Sequence, residues 1–189
     1  MRLEHLFALA SLVAAPALRA QRYPQTRDGF TISFGIGSGS SGTTCDGCTT
    51  DRQTAPTIYL RLGGAVRPDL IIAGEINSWD KQENGSRFSI STFNAVAQWY
   101  PQQRNGFYLI GGLGLGALHV EVPANIGTLT NDGSGFGYQV GAGYDIRLAR
   151  NFSLTPYVNY FATSGVQFQH GGGSADGNVL HFGLGFTWH

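Results

Sequence analysis

Charge is scarce in this sequence. Asp, Glu, Lys and Arg make up 13% of its 189 residues, about half the roughly 25% usual in soluble domains. The 12 basic residues balance 12 acidic ones, so the basic excess of a nucleic-acid-binding protein is missing. Cysteine is nearly absent: two residues cannot staple a disulfide-rich scaffold. No apolar run approaches the ~18–20 residues that a membrane-spanning helix needs. What is abundant is glycine, 28 residues, and aromatic side chains, 12% of the chain. Chains rich in aromatic and β-branched residues with no net charge do not stay disordered. The shortage of charge raises the question of which solvent this surface faces.

The first 20 residues read as a secretory signal peptide. Arg2 precedes an apolar run from Leu6 to Val13, and the small residues Ala14, Ala15 and Ala17 follow. Ala15-Pro16-Ala17 fits the A-x-A cleavage pattern, and Ala20 before Gln21 fits equally, so both cut points stay open. Residues 21–189 are then an exported single domain, and any insertion into a membrane must use strands.

Strand signals recur along that domain. Strict alternation of apolar and polar residues marks segments 29–38, 57–65, 70–79, 107–120, 136–148, 152–163 and 179–188. Segment 136–148 is the cleanest: Phe136, Tyr138, Val140, Ala142, Tyr144, Ile146 and Leu148 share one face. Gly137, Gln139, Gly141, Gly143, Asp145 and Arg147 share the other. Segment 87–100 fits less well, because Phe88 and Ile90 have one parity and Phe93, Ala95, Ala97 and Trp99 the other. A bulge near Thr92 would reconcile them. Trp79 falls on the polar parity of its strand, and Pro156 inside a strand predicts a second bulge. The connections alternate long and short, with short turns at 66–69, 101–106 and 149–151 and longer links between 38 and 57, at 80–86, at 121–134 and at 164–178. This asymmetry and an even strand count are features of outer-membrane barrels.

The apolar parity decides the solvent. It is nearly free of charge, while the other parity carries Gly, Ser, Thr, Asn and Gln. A soluble barrel would show many Lys and Glu outside; this pattern suits an apolar exterior and a narrow polar lumen. The expected fold is all-β, a closed eight-stranded antiparallel up-and-down transmembrane barrel. Four charges fall within strands on the polar parity: Arg61, Glu75, Asp145 and Arg147. Arg61 and Glu75 are equally distant from the turn near Pro68, which predicts that they face each other across adjacent strands in the lumen. On this reading Gln139 tolerates a charge that Val140 does not. Trp99 and Trp188 are expected in a membrane-interface girdle.

Three other patterns bear on chemistry. Cys45-Asp46-Gly47-Cys48 lacks the βαβ setting of a redox site and the further ligands of a zinc site. After export a Cys45–Cys48 disulfide is expected. The glycines Gly112, Gly114 and Gly116 precede Val120-Glu121-Val122-Pro123 rather than a helix, which excludes a phosphate loop. They are expected to receive lumenal aromatic rings. His119, His170 and His181 stand in no local Ser/His motif.

With signal peptide, eight alternating segments, long and short connections and a terminal aromatic strand, the chain resembles the small eight-stranded outer-membrane barrels of the OmpA-barrel and OmpX type. The resemblance covers about residues 28–189. It implies insertion by the barrel-assembly machinery, which reads a last strand such as Leu180-His181-Phe182-Gly183-Leu184-Gly185-Phe186-Thr187-Trp188, here followed by an extra His189. The function expected is a non-enzymatic, monomeric anchor in outer-membrane lipid. It needs no cofactor, and its loops face an extracellular ligand or surface. A narrow pore for small solutes or ions is the second reading, and a lipid-modifying enzyme the third.

Overall fold

The computed structural model describes residues 23–45, 48–49, 51–124, 127–169 and 173–189. The expected signal peptide, 1–20, lies outside them. Among the described residues ten strands follow in order: β1 (Phe30–Cys45), β2 (Cys48–Thr49), β3 (Gln53–Arg67), β4 (Leu70–Glu83), β5 (Ser86–Trp99), β6 (Phe107–Pro123), β7 (Thr128–Tyr144), β8 (Ile146–Ala149), β9 (Phe152–Phe168) and β10 (Ser174–Trp188). β2 is a short return at the tip of β1, and β8 continues β7 beyond Asp145. The remaining eight form one antiparallel sheet, closed where β10 pairs with β1 from Ile32↔Trp188 to Cys45↔Ala175. Closure leaves no open edge in hydrocarbon, where an unpaired backbone group costs several kcal/mol.

The two parities separate cleanly. Phe34, Ile58, Ile76, Phe93, Leu113, Val140 and Phe182 point outward and are exposed, as are their apolar neighbours on the same face. Together they form a belt around the wall. Trp99, Trp188 and Phe107 edge the belt at the short-turn end, each partly exposed.

The structure departs from the sequence reading in four places. First, the strands run well past the belt at the long-loop end, so the links expected there are mostly paired hairpin. β4 and β5 join through Asn84 (φ 50°) and Gly85 (φ 80°) alone, the positive-φ pair of a tight hairpin turn. Second, β5 has no bulge at Thr92, since its pairing with β4 runs unbroken from Leu70↔Trp99 to Glu83↔Ser86. Ile90 is buried in the lumen, in an apolar layer with Trp79, Leu118, Phe161, Val166 and Val179, and Phe88 packs against that layer. The change of parity in the sequence therefore marks a change of depth, from polar lumen to apolar plug. Third, Pro156 makes no bulge. The pairs Gly143↔Tyr157 and Ile146↔Leu154 keep one register, and the ladder is only interrupted between them, where proline has no N–H to donate. Fourth, the glycines that accept aromatic rings are not Gly112, Gly114 and Gly116. A Cβ at Gly35 would fall 2.3 Å from the Tyr59 ring, at Gly185 2.2 Å from the Tyr59 hydroxyl, and at Gly143 2.4 Å from that of Tyr108.

Candidate functional site

The lumen holds a continuous polar network. Strand register puts Arg61 opposite Glu75. The Arg61 Nε donates to Glu75, and the two side chains are 2% and 0% exposed. Arg61 Nη1 donates to Gln98 (2.7 Å), and Gln98 Nε2 donates to the Tyr100 hydroxyl (2.5 Å). Tyr100 and Thr155 then donate to the two oxygens of Asp145, both at 2.7 Å. On the other side Gln139 donates to Glu75 (2.8 Å) and accepts from Asn77 (2.6 Å) and Asn94 (2.9 Å). A buried ion pair survives desolvation only with such supplementary hydrogen bonds.

Apolar layers bound this network. Beyond it toward the long loops lies the Trp79–Ile90–Phe161 layer, and toward the short turns the network runs on through Tyr100 beside the apolar cluster of Ile71, Ala73, Val96, Tyr108 and Ile110. The segment before β1 crosses the short-turn mouth. Arg27 lies 3.4 Å over the Tyr100 ring and donates to the carbonyls of Gln103 (3.0 Å) and Asn105 (2.7 Å). Arg147 is buried and faces no carboxylate within bonding distance among the described residues; it donates to the carbonyls of Thr26 (2.8 Å) and Arg150 (3.1 Å). His189 tucks in beside Asp145, 3.8 Å away. Cys45 is disulfide-bonded and is the register partner of Cys48.

Beyond the belt, on the outer wall, β4 to β7 carry a cluster of ionisable groups. Arg87 donates to Asp80 at 2.8 Å, and His119 meets Asp132 at 2.5 Å through Nδ1 and Glu121 at 3.2 Å through Nε2. Ser89 is the cross-strand partner of His119, so strand pairing gathers a serine, a histidine and an acid that lie far apart in sequence. They are not set for nucleophilic attack: the Ser89 hydroxyl donates to Asp80 (3.3 Å), and Nε2 of His119 is turned to Glu121. The hydrogen bond to Asp132, then Glu121, holds the His119 imidazolium above its ordinary pKa. The stability from this contact is therefore full below the ordinary histidine pKa and is lost as pH rises through the raised value. Titration of the His119 ring protons by NMR should show the raised pKa, and Asp132→Asn should lower it. A midpoint that ignores the substitution would contradict this contact.

An exposed apolar belt around a closed barrel with a polar interior defines an outer-membrane transmembrane β-barrel. The chain belongs to the family described as outer membrane protein beta-barrel domain, whose model matches residues 6–188. No curated protein matches it by sequence. It is similar in structure to Ail, the attachment invasion locus protein of Yersinia pestis: TM-score 0.63 and 16% identity, over 85% of this chain and 99% of that one. The same protein in complex with the heparin analogue sucrose octasulfate gives TM-score 0.60, with the same identity and coverage. Neisserial surface protein A gives TM-score 0.56 and 13% identity, over 85% of this chain and 96% of that one. These likenesses show the fold; the chemistry rests on the residues of this chain.

Proposed function

We propose that this protein is a closed, non-enzymatic anchor that carries its hairpin extensions on the cell surface as a binding platform. Residues 1–20 act as the export signal, and the short turns face the periplasm. The observation that carries this reading is the filled lumen, with buried apolar clusters above and beside the hydrogen-bonded Arg61–Glu75 network. An eight-stranded barrel is just wide enough for side chains to fill it, which favours an anchor over a pore. The likeness to Ail, a barrel captured with a ligand, is compatible with a surface role. This chain's own hairpin extensions do not favour a polyanion, because Lys81 and Arg87 are already paired with Glu83 and Asp80.

Purified protein in planar bilayers should give no discrete conductance steps; stable openings would establish the pore instead. In intact cells, cysteine introduced at Thr130 should react with an impermeant label and cysteine at Pro68 should not. The opposite pattern would reverse the orientation.

A further inference from the structure

The lumen's long-loop mouth ends in a cup of about 200 Å³, lined by Ser41, Thr43, Asp51, Gln53, Trp79 and Phe88. Its floor is aromatic and rigid. Trp79 donates its indole N–H to the Gly39 carbonyl (2.9 Å) and meets Phe88 edge to face, with ring centroids 5.9 Å apart. Its walls offer the side chains of Ser41, Thr43 and Gln53.

Two charges near the cup, Arg52 and Asp51, have no charged partner among the described residues, but Arg52 is held by neutral groups. Arg52 donates to Ser40 Oγ (3.0 Å) and to Asn178 (2.8 Å), and Lys81 pairs with Glu83 (3.2 Å). Asp51 lines the cup and has no protein partner among the described residues. A free carboxylate beside aromatic rings attracts a cation that is weakly hydrated, through both the ion pair and the ring quadrupole. The volume lies below the roughly 300–1,000 Å³ of sites for drug-sized ligands, so only a small molecule fits.

We propose that this cup binds a small organic cation, a quaternary or primary ammonium, with its charge toward Asp51 and its methyl or methylene shell against Phe88 and Trp79. The occupant is a free amine rather than a phospholipid headgroup, because a neighbouring phosphate would add negative charge beside Asp51. The proposal gives the surface platform a ligand class and depends on that reading only for its biological setting. The cup is testable in purified protein, whichever way the barrel is oriented.

The test uses full-length mature protein refolded in micelles, with Trp99→Phe and Trp188→Phe, so that Trp79 alone reports fluorescence. Choline chloride, titrated against sodium chloride at equal ionic strength, should give a saturable change. The neutral isostere 3,3-dimethylbutanol should bind about tenfold more weakly, and phosphocholine should also be weaker than choline. Asp51→Asn, an exposed position, should cost choline about tenfold and leave the isostere unchanged. Asp51→Lys should abolish choline binding and let propionate bind. Equal binding of choline and its isostere, or an unchanged choline titration in Asp51→Asn, would overturn the proposal. Phosphocholine binding as tightly as choline would overturn the choice of a free amine.

Discussion

Arg61→Ala should destabilise the barrel by about 3–5 kcal/mol, the usual cost of removing one partner of a buried ion pair. The substitution leaves the Glu75 carboxyl group, 0% exposed, with Gln139 as its remaining partner among the described residues, and it removes the donor to Gln98. Glu75→Ala should cost a similar amount by stranding the guanidinium and the Gln139 amide. The double variant should recover part of the summed loss, because neither charge is then left alone; couplings between touching groups run about 0.5–3 kcal/mol. Recovery is partial, since Gln98 and Gln139 still lose partners. Urea unfolding in lipid vesicles measures all four proteins. Strictly additive losses would show that the two side chains do not stabilise each other.

Val140→Arg should cost about 2–4 kcal/mol, the penalty for a cation near the bilayer midplane. Val140 is 57% exposed at the centre of the outward row Phe136, Tyr138, Val140, Ala142, Tyr144. The control is Thr130→Arg, on the same strand and face but beyond the belt and opposite Glu121, where about 0–1 kcal/mol is expected. Equal losses at the two positions would contradict the placement of the belt. The lumenal neighbour Gln139 does not serve as a tolerant control, although its parity suggested so. Gln139 is 1% exposed and accepts from both Asn77 and Asn94. Arginine has no acceptor, so Gln139→Arg would take one buried acceptor from each and leave both amides to share Thr92, at roughly 1–3 kcal/mol for each N–H left unpaired.

Gln139 shows where sequence reasoning stopped. Parity told that it faces inward, because side chains alternate with period two whatever surrounds them. It could not tell that three side chains from two other strands converge on its amide. The same limit applies to Trp79 and Ile90, which break the polar parity only because the lumen changes character with depth. Tyr100 and Arg27, in the connection after β5 and the segment before β1, carried no pattern at all, and only the closed base stacks one on the other. Ser89, His119 and Asp132 meet through β5–β6 and β6–β7 register, which no local motif encodes.

The sequence by itself determined the solvent, the strand count and the Arg61–Glu75 register. An uncharged apolar parity in eight segments demands lipid outside, and equal spacing from one turn sets which residues of a hairpin face each other. Tertiary structure alone decided that the lumen is filled in layers, that Gly185 of β10 makes room for Tyr59 of β3 across the intervening β1, and that Asp51 and an aromatic floor line one cup. These depend on side-chain packing inside the barrel, much of it between strands that are not neighbours, and closure of the sheet is what brings such residues within reach.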